Sequence, residues 1–131
     1  MDYTYEFVDG AFDLIVTMAG VASVAEMLQQ REALLADPRL QPGMSALYDL
    51  TGVDGSQLSH DDVFDLAADA GRFEAARLHA IVLASPQPLA FGLSRMYQGY
   101  TRRVRLADHF AVVDSVEEAY AWLTGLPPAD G

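Results

Sequence analysis

The sequence predicts an α/β protein: a single domain on a mostly parallel sheet, with an antiparallel hairpin at its N-terminus and about four helices. Three observations carry that prediction. Ser23-Val24-Ala25-Glu26, Ser59-His60-Asp61-Asp62 and Ser115-Val116-Glu117-Glu118 each follow an apolar segment. In each, the serine hydroxyl is placed to accept from a backbone N–H one turn in. The acid three residues on is placed to reach back to the serine's own N–H, so each string marks a helix start. Ser85-Pro86-Gln87-Pro88 marks a fourth start through its prolines. Strand-like segments precede all four, and an alternation of strand and helix means a parallel sheet.

The elements follow in order. Tyr3 to Val8 and Ala11 to Met18 read as two strands around Asp9-Gly10, a dipeptide suited to a tight hairpin turn. Strict alternation puts Phe12, Leu14, Val16 and Met18 on one face of the second strand. Gly20 is expected to break it, and Ser23 to start a helix running to about Ala36. Val24, Met27, Leu28, Leu34 and Leu35 form that helix's apolar stripe. Arg31 interrupts the stripe and is expected at its border, stem packed and head in water. Met44 to Leu50 reads as a short strand, followed by a polar loop from Thr51 to Ser56. The second helix starts at Ser59 and carries Val63, Phe64, Leu66, Ala67 and Ala70 before Gly71. Leu78 to Ala84 is almost wholly apolar, as a parallel strand buried on both faces should be. The third helix is expected to run to about Arg103, with Leu89, Leu93, Met96, Tyr97 and Tyr100 on one side. His109 to Val113 forms the last strand, and the last helix turns Val116, Ala119, Tyr120, Trp122 and Leu123 inward before Gly125 and Pro127-Pro128 stop it.

Composition narrows the function classes. A chain of 131 residues that is 51% hydrophobic suits one domain, read as residues 1–125 with a flexible tail at 126–131. No apolar run is long enough to span a membrane, and Met1-Asp2-Tyr3 lacks the basic opening of a secretory signal. Cysteine is absent, which excludes disulfides, thiolate metal sites and a cysteine nucleophile, and fits the cytoplasm. Lysine is absent too, so there is no Walker lysine, Schiff-base lysine or lysine general base. A formal charge of −11 opposes nucleic-acid binding. Against that background, Arg95, Arg102, Arg103 and Arg105 fall in a window without a single acid.

Several strings carry a family likeness. Gly20 is followed by a helix opening Val24-Ala25-Glu26-Met27, and a later strand ends Tyr48-Asp49-Leu50-Thr51-Gly52-Val53. Phe91-Gly92-Leu93-Ser94-Arg95-Met96-Tyr97 precedes His109-Phe110 and Glu118-Ala119-Tyr120-Ala121-Trp122-Leu123. In order and spacing the chain resembles the SpoIIAA-like branch of the STAS and CRAL-TRIO-type proteins. That resemblance implies a SpoIIAA-like STAS fold and a small cytoplasmic binding or regulatory module, often dimeric, that works by recruitment rather than catalysis. Its CRAL-TRIO side implies an apolar ligand or an anionic lipid surface met through the third helix. The aspartate-serine-serine-glycine turn of phosphorylatable antagonists is missing, since Gln57-Leu58-Ser59-His60 stands there.

Candidate site residues follow. Ligands of open parallel sheets bind beyond the carboxyl ends of the strands. That rim is expected to gather Asp49, Thr51, Ser56, Ser59, Ser85 and Ser115. Capping alone accounts for Ser59 and Ser115, and turn bonding to Thr51 or Gly52 accounts for Asp49. Arg95, Arg102 and Arg103 with Tyr97 make the third helix basic and amphipathic, suited to phosphate, an acidic partner or a lipid headgroup. His60, His79 and His109 show no metal-ligand spacing, and no Gly-x-Ser-x-Gly elbow is present. No catalytic residue, metal or cofactor is therefore assigned. The expected partners are another protein or a second copy of the chain, with a lipid surface as the alternative and a small hydrolase as the least favoured reading.

Overall fold

A computed structural model describes residues 1–129. Its sheet has five strands in chain order: β1 (Asp2–Phe7), β2 (Leu14–Val21), β3 (Ser45–Asp54), β4 (Ala80–Ala84) and β5 (His109–Val113). β1 runs antiparallel to β2, and all later pairings are parallel. The crossovers are α1 (Val24–Leu35), α2 (His60–Asp69) continued by a 3-10 helix (Ala70–Ala76), and α3 (Pro88–Tyr100). Each crossover steps the same way across the sheet, so right-handed connections stack all three helices on one face. α4 (Val116–Thr124) follows the last strand and returns over the other face, against β3, β4 and β5.

The core is accordingly split. Leu14, Val16, Ala46, Tyr48 and Ile81 pack toward α1–α3, whereas Leu47, Val82 and Ala84 pack toward Ala119 of α4. β4 supplies both layers from consecutive residues, as a strand buried on both faces must.

Several sequence expectations are corrected. The hairpin has no two-residue turn at Asp9-Gly10. The chain bridges Val8 to Asp13, where the Val8 N–H donates to the Asp13 carbonyl at 2.9 Å. Phe12 leaves the hairpin to bury itself in the α4 layer, edge-on to Tyr120 with ring centroids 5.0 Å apart. It therefore does not share a face with Leu14, Val16 and Met18, and Tyr120 stays exposed. Gly20 does not end β2. It sits inside the strand at φ +85°, beyond a register shift between Thr17 and Ala19.

The segment Thr51–Asp54 is strand, not loop, because it pairs with that extension of β2. Gly52 makes this possible: a Cβ there would stand 2.9 Å from the Ala19 Cβ. Helix α3 stops at Tyr100 rather than Arg103. The buried Thr101 hydroxyl donates to the carbonyls of Tyr97 at 3.0 Å and Gln98 at 3.2 Å, closing the last turn.

The helix starts agree with the cap signatures. Ser59 and Asp62 form a complete capping box, whereas Ser23 and Ser115 each accept one backbone N–H. Gln87, not Ser85, occupies the cap position of α3, and Pro88 is its first residue. Leu126 turns back to the Leu123 carbonyl at 3.1 Å, and 127–129 are exposed. The rest of the expected tail, Asp130 and Gly131, lies outside the described residues. Among the described residues no helix is long and apolar enough to cross a membrane.

Candidate functional site: a cavity under the three crossover helices

The helical layer does not close completely on the sheet. Between them lies a cavity of about 110 Å³. Its floor is sheet: Tyr3, Met18, Tyr48, Leu50, Ile81 and Phe110. Its roof is Met27 and Arg31 of α1, Val63 and Leu66 of α2, and Ala90, Leu93 and Tyr97 of α3. The lining is apolar apart from Ser94 and the place where Arg31 meets the phenols.

Arg31 organises that place. It lies four residues after Met27 and three before the buried Leu34, hence on the inward face of α1. Its side chain is only 11% exposed. Nη1 donates to the Leu66 carbonyl at 2.9 Å and to Asp69 Oδ2 at 3.1 Å, and Nη2 donates to the Tyr97 hydroxyl at 3.1 Å. The Phe73 ring lies 5.1 Å from the guanidinium carbon. One side chain thus ties α1 to α2 and α3 and caps a carbonyl of α2's final turn, where a cation is favoured. The expectation of a guanidinium in water is overturned, because three acceptors from other elements enclose it.

The phenols nearby are held neutral. Burial pushes Tyr3 up to about 12, with the Arg31 charge offsetting part of the rise. Burial raises Tyr48 well above the usual tyrosine range, and the neighbouring phenol of Tyr3 adds to it. Tyr97 is raised by burial against the opposing pull of Arg31. At neutral pH all three are therefore hydroxyl donors.

Outside the cavity a shallow groove runs between the β3 extension and the start of α3, lined by Thr51–Gly55 and Gln87–Ala90. Val53, Gly55 and Ala90 line both spaces, so the groove adjoins the cavity at the carboxyl end of the sheet.

The residues singled out from sequence divide among these places. Tyr97 is in the cavity with Arg31. Thr51 is in the groove, and Asp49 Oδ1 accepts both its N–H and its hydroxyl, the N–H at 3.0 Å. The Ser56 N–H donates to Asp54 Oδ1 at 2.9 Å, and Ser59 is occupied with its capping box. Ser85 is no rim residue: it is fully buried, and its Oγ has no partner among the described residues.

The arginines do not share one helix side. Arg95 is exposed on α3, 6.0 Å from the Phe91 ring centroid, while Arg102 and Arg103 lie exposed beyond the end of α3. Leu89 and Tyr100 are also largely exposed, so only part of α3's apolar side faces the sheet.

The histidines stand elsewhere. His79 and His109 meet edge-on at 5.2 Å by the amino ends of β4 and β5, with His79 Nδ1 3.9 Å from Asp108 Oδ2. His60 opens α2 and is exposed. No cluster among the described residues suits a metal ion.

Sequence reasoning missed Arg31, Tyr3 and Tyr48 as site residues. The one local signal was a charged residue inside an apolar stripe at helical spacing.

No family model and no curated protein matches the chain. Among solved structures it is similar to an uncharacterized protein of the DUF3478 family with a SpoIIAA-like fold from Shewanella loihica PV-4. The two are 21% identical and superpose with a TM-score of 0.54 over 93% of this chain and 92% of that one. The CRAL-TRIO side of the likeness finds no support in this neighbour. The fold of this chain is SpoIIAA-like.

Proposed function

We propose that the protein is a non-enzymatic regulatory module of the STAS type that holds a small, largely apolar molecule between its sheet and its crossover helices. The observation that carries this reading is the cavity of about 110 Å³, largely apolar and with Arg31 in its wall. Well-packed interiors leave few voids larger than a water, and an engineered apolar cavity of about 150 Å³ takes up benzene. At about 110 Å³ the space is somewhat smaller than that one and adjoins the groove, so a single ring is the upper bound on its guest. The SpoIIAA-like fold supports recruitment, in which an occupied or empty cavity is presented to a protein partner at the adjoining groove. A cysteine-free chain suits that role in the cytoplasm.

The test is a methyl NMR titration with toluene. The reading expects saturable shifts at the methyls of Leu50, Ile81 and Leu66, weakened by Ala90→Leu, which fills the space where cavity and groove meet. Absence of saturable shifts at those methyls refutes it.

A second reading has its own observation. Phe64 and Tyr100 are 56% and 46% exposed and pack edge-on across α2 and α3. Such a surface suits a partner protein or a second copy of the chain. Sedimentation of the wild type against Phe64→Ser tests it. A dimer lost in the variant supports self-association, and a monomer in both removes it.

A further inference from the structure

We infer that the cavity wall at Arg31 is a carboxylate-binding site, so that the guest is a small carboxylic acid with a ring-sized apolar body, held by Arg31. The inference rests on the cavity being a ligand site and adds the chemistry of the head group.

A guanidinium has five N–H donors. In Arg31 three are used, two on Nη1 and one on Nη2. The Nε–H and the second Nη2–H have no acceptor among the described residues, although the side chain is 11% exposed and lines the cavity. Nε and Nη2 share one edge of the guanidinium, the side that a carboxylate can meet with two parallel bonds, and Nη2 keeps one proton beyond the one given to Tyr97.

The local charge leaves room for an anion. Asp69 is the ion-pair partner of Arg31 among the described residues, and it is shared with Arg72 at 3.9 Å. Two cations thus face one carboxylate in a chain of net charge −11. Tyr97, which accepts from Arg31, keeps its own hydroxyl proton to donate. A purely apolar guest would leave these donors unanswered in a desolvated site, which is costly.

The experiment compares two molecules with the same ring, benzoate and toluene, by NMR titration of the wild type in about 0.15 M salt. The inference expects benzoate to bind at least about tenfold tighter than toluene, as a hydrogen-bonding site rejects the analogue that lacks its acceptor. It also expects Arg31→Gln to remove that preference, bringing the ratio of benzoate to toluene affinity down to about one or below. Toluene binding as well as or better than benzoate overturns the carboxylate inference and leaves the cavity reading standing. Binding of neither overturns both. The wild-type ratio needs no variant, so the test survives an Arg31→Gln protein that fails to fold.

Discussion

Replacing Arg31 with methionine tests the architecture at its most connected point. Methionine keeps the stem's volume and removes every donor. The change leaves the Leu66 carbonyl, Asp69 Oδ2 and the Tyr97 hydroxyl without the partners they have at 2.9, 3.1 and 3.1 Å. Breaking a buried ion pair by deleting one member costs about 3–5 kcal/mol. Here the Asp69 side chain is 30% exposed and retains Arg72 at 3.9 Å, so water and a second cation recover part of that. The expected loss is therefore about 2–3 kcal/mol, or roughly 7–11 °C in Tm for a domain of this size. Urea unfolding followed by tryptophan fluorescence and circular dichroism measures it. Tyr97→Phe alone should cost about 1–2 kcal/mol, since it removes one bond to a charged group. The double variant should fall short of the sum by about 1 kcal/mol, because the pair shares that bond. If Arg31→Met unfolds within about 0.5 kcal/mol of the wild type, the guanidinium is solvated in solution and the reasoning fails.

Three further outcomes follow from the same physics. Tyr3 is raised to about 12, and Tyr48 and Tyr97 are also raised. The folded state thus holds these protons after the unfolded chain has lost them. Their contribution is intact below about pH 10 and falls as pH climbs beyond it, by about 1.4 kcal/mol per unit for each phenol still protonated. Urea midpoints between pH 8 and pH 11 should drop steeply above 10, and a flat profile contradicts the burial of these hydroxyls.

Ser59→Ala removes one bond of a complete capping box and should destabilise by about 1 kcal/mol, read by thermal melting. Gly52→Val forces side-chain atoms into a space where even a Cβ stands 2.9 Å from Ala19. It should cost about 1–3 kcal/mol and speed amide exchange at Val21 and Val53, whereas unchanged exchange argues that β2 and β3 do not pair there.

What the sequence made legible was local. Cap signatures lie within one turn of the helix they start, and the apolar run of β4 is its own evidence for burial on both faces. The elements that went astray were decided by distant partners. Thr51 to Asp54 looks like a loop by composition, yet it is strand because Ala19 and Gly52 approach across two chain segments. Phe12 fits the alternation of β2, but α4 on the far face draws it out of the hairpin. Arg31 is the clearest instance. Its acceptors lie 35, 38 and 66 residues along the chain, so nothing near it announces that a cation there is enclosed. Tyr3 and Tyr48 read as ordinary strand residues for the same reason, since the wall facing them comes from three separate helices.

The measurement that bears most directly on the account is a crystal structure of the protein under xenon pressure. An open apolar space between sheet and helices predicts a xenon peak within about 4 Å of Leu50 and Ile81. Arg31 should still be bonded to Asp69 and Tyr97 in that crystal. A core with no xenon, in which Leu66 and Leu93 have closed down on the sheet, contradicts it.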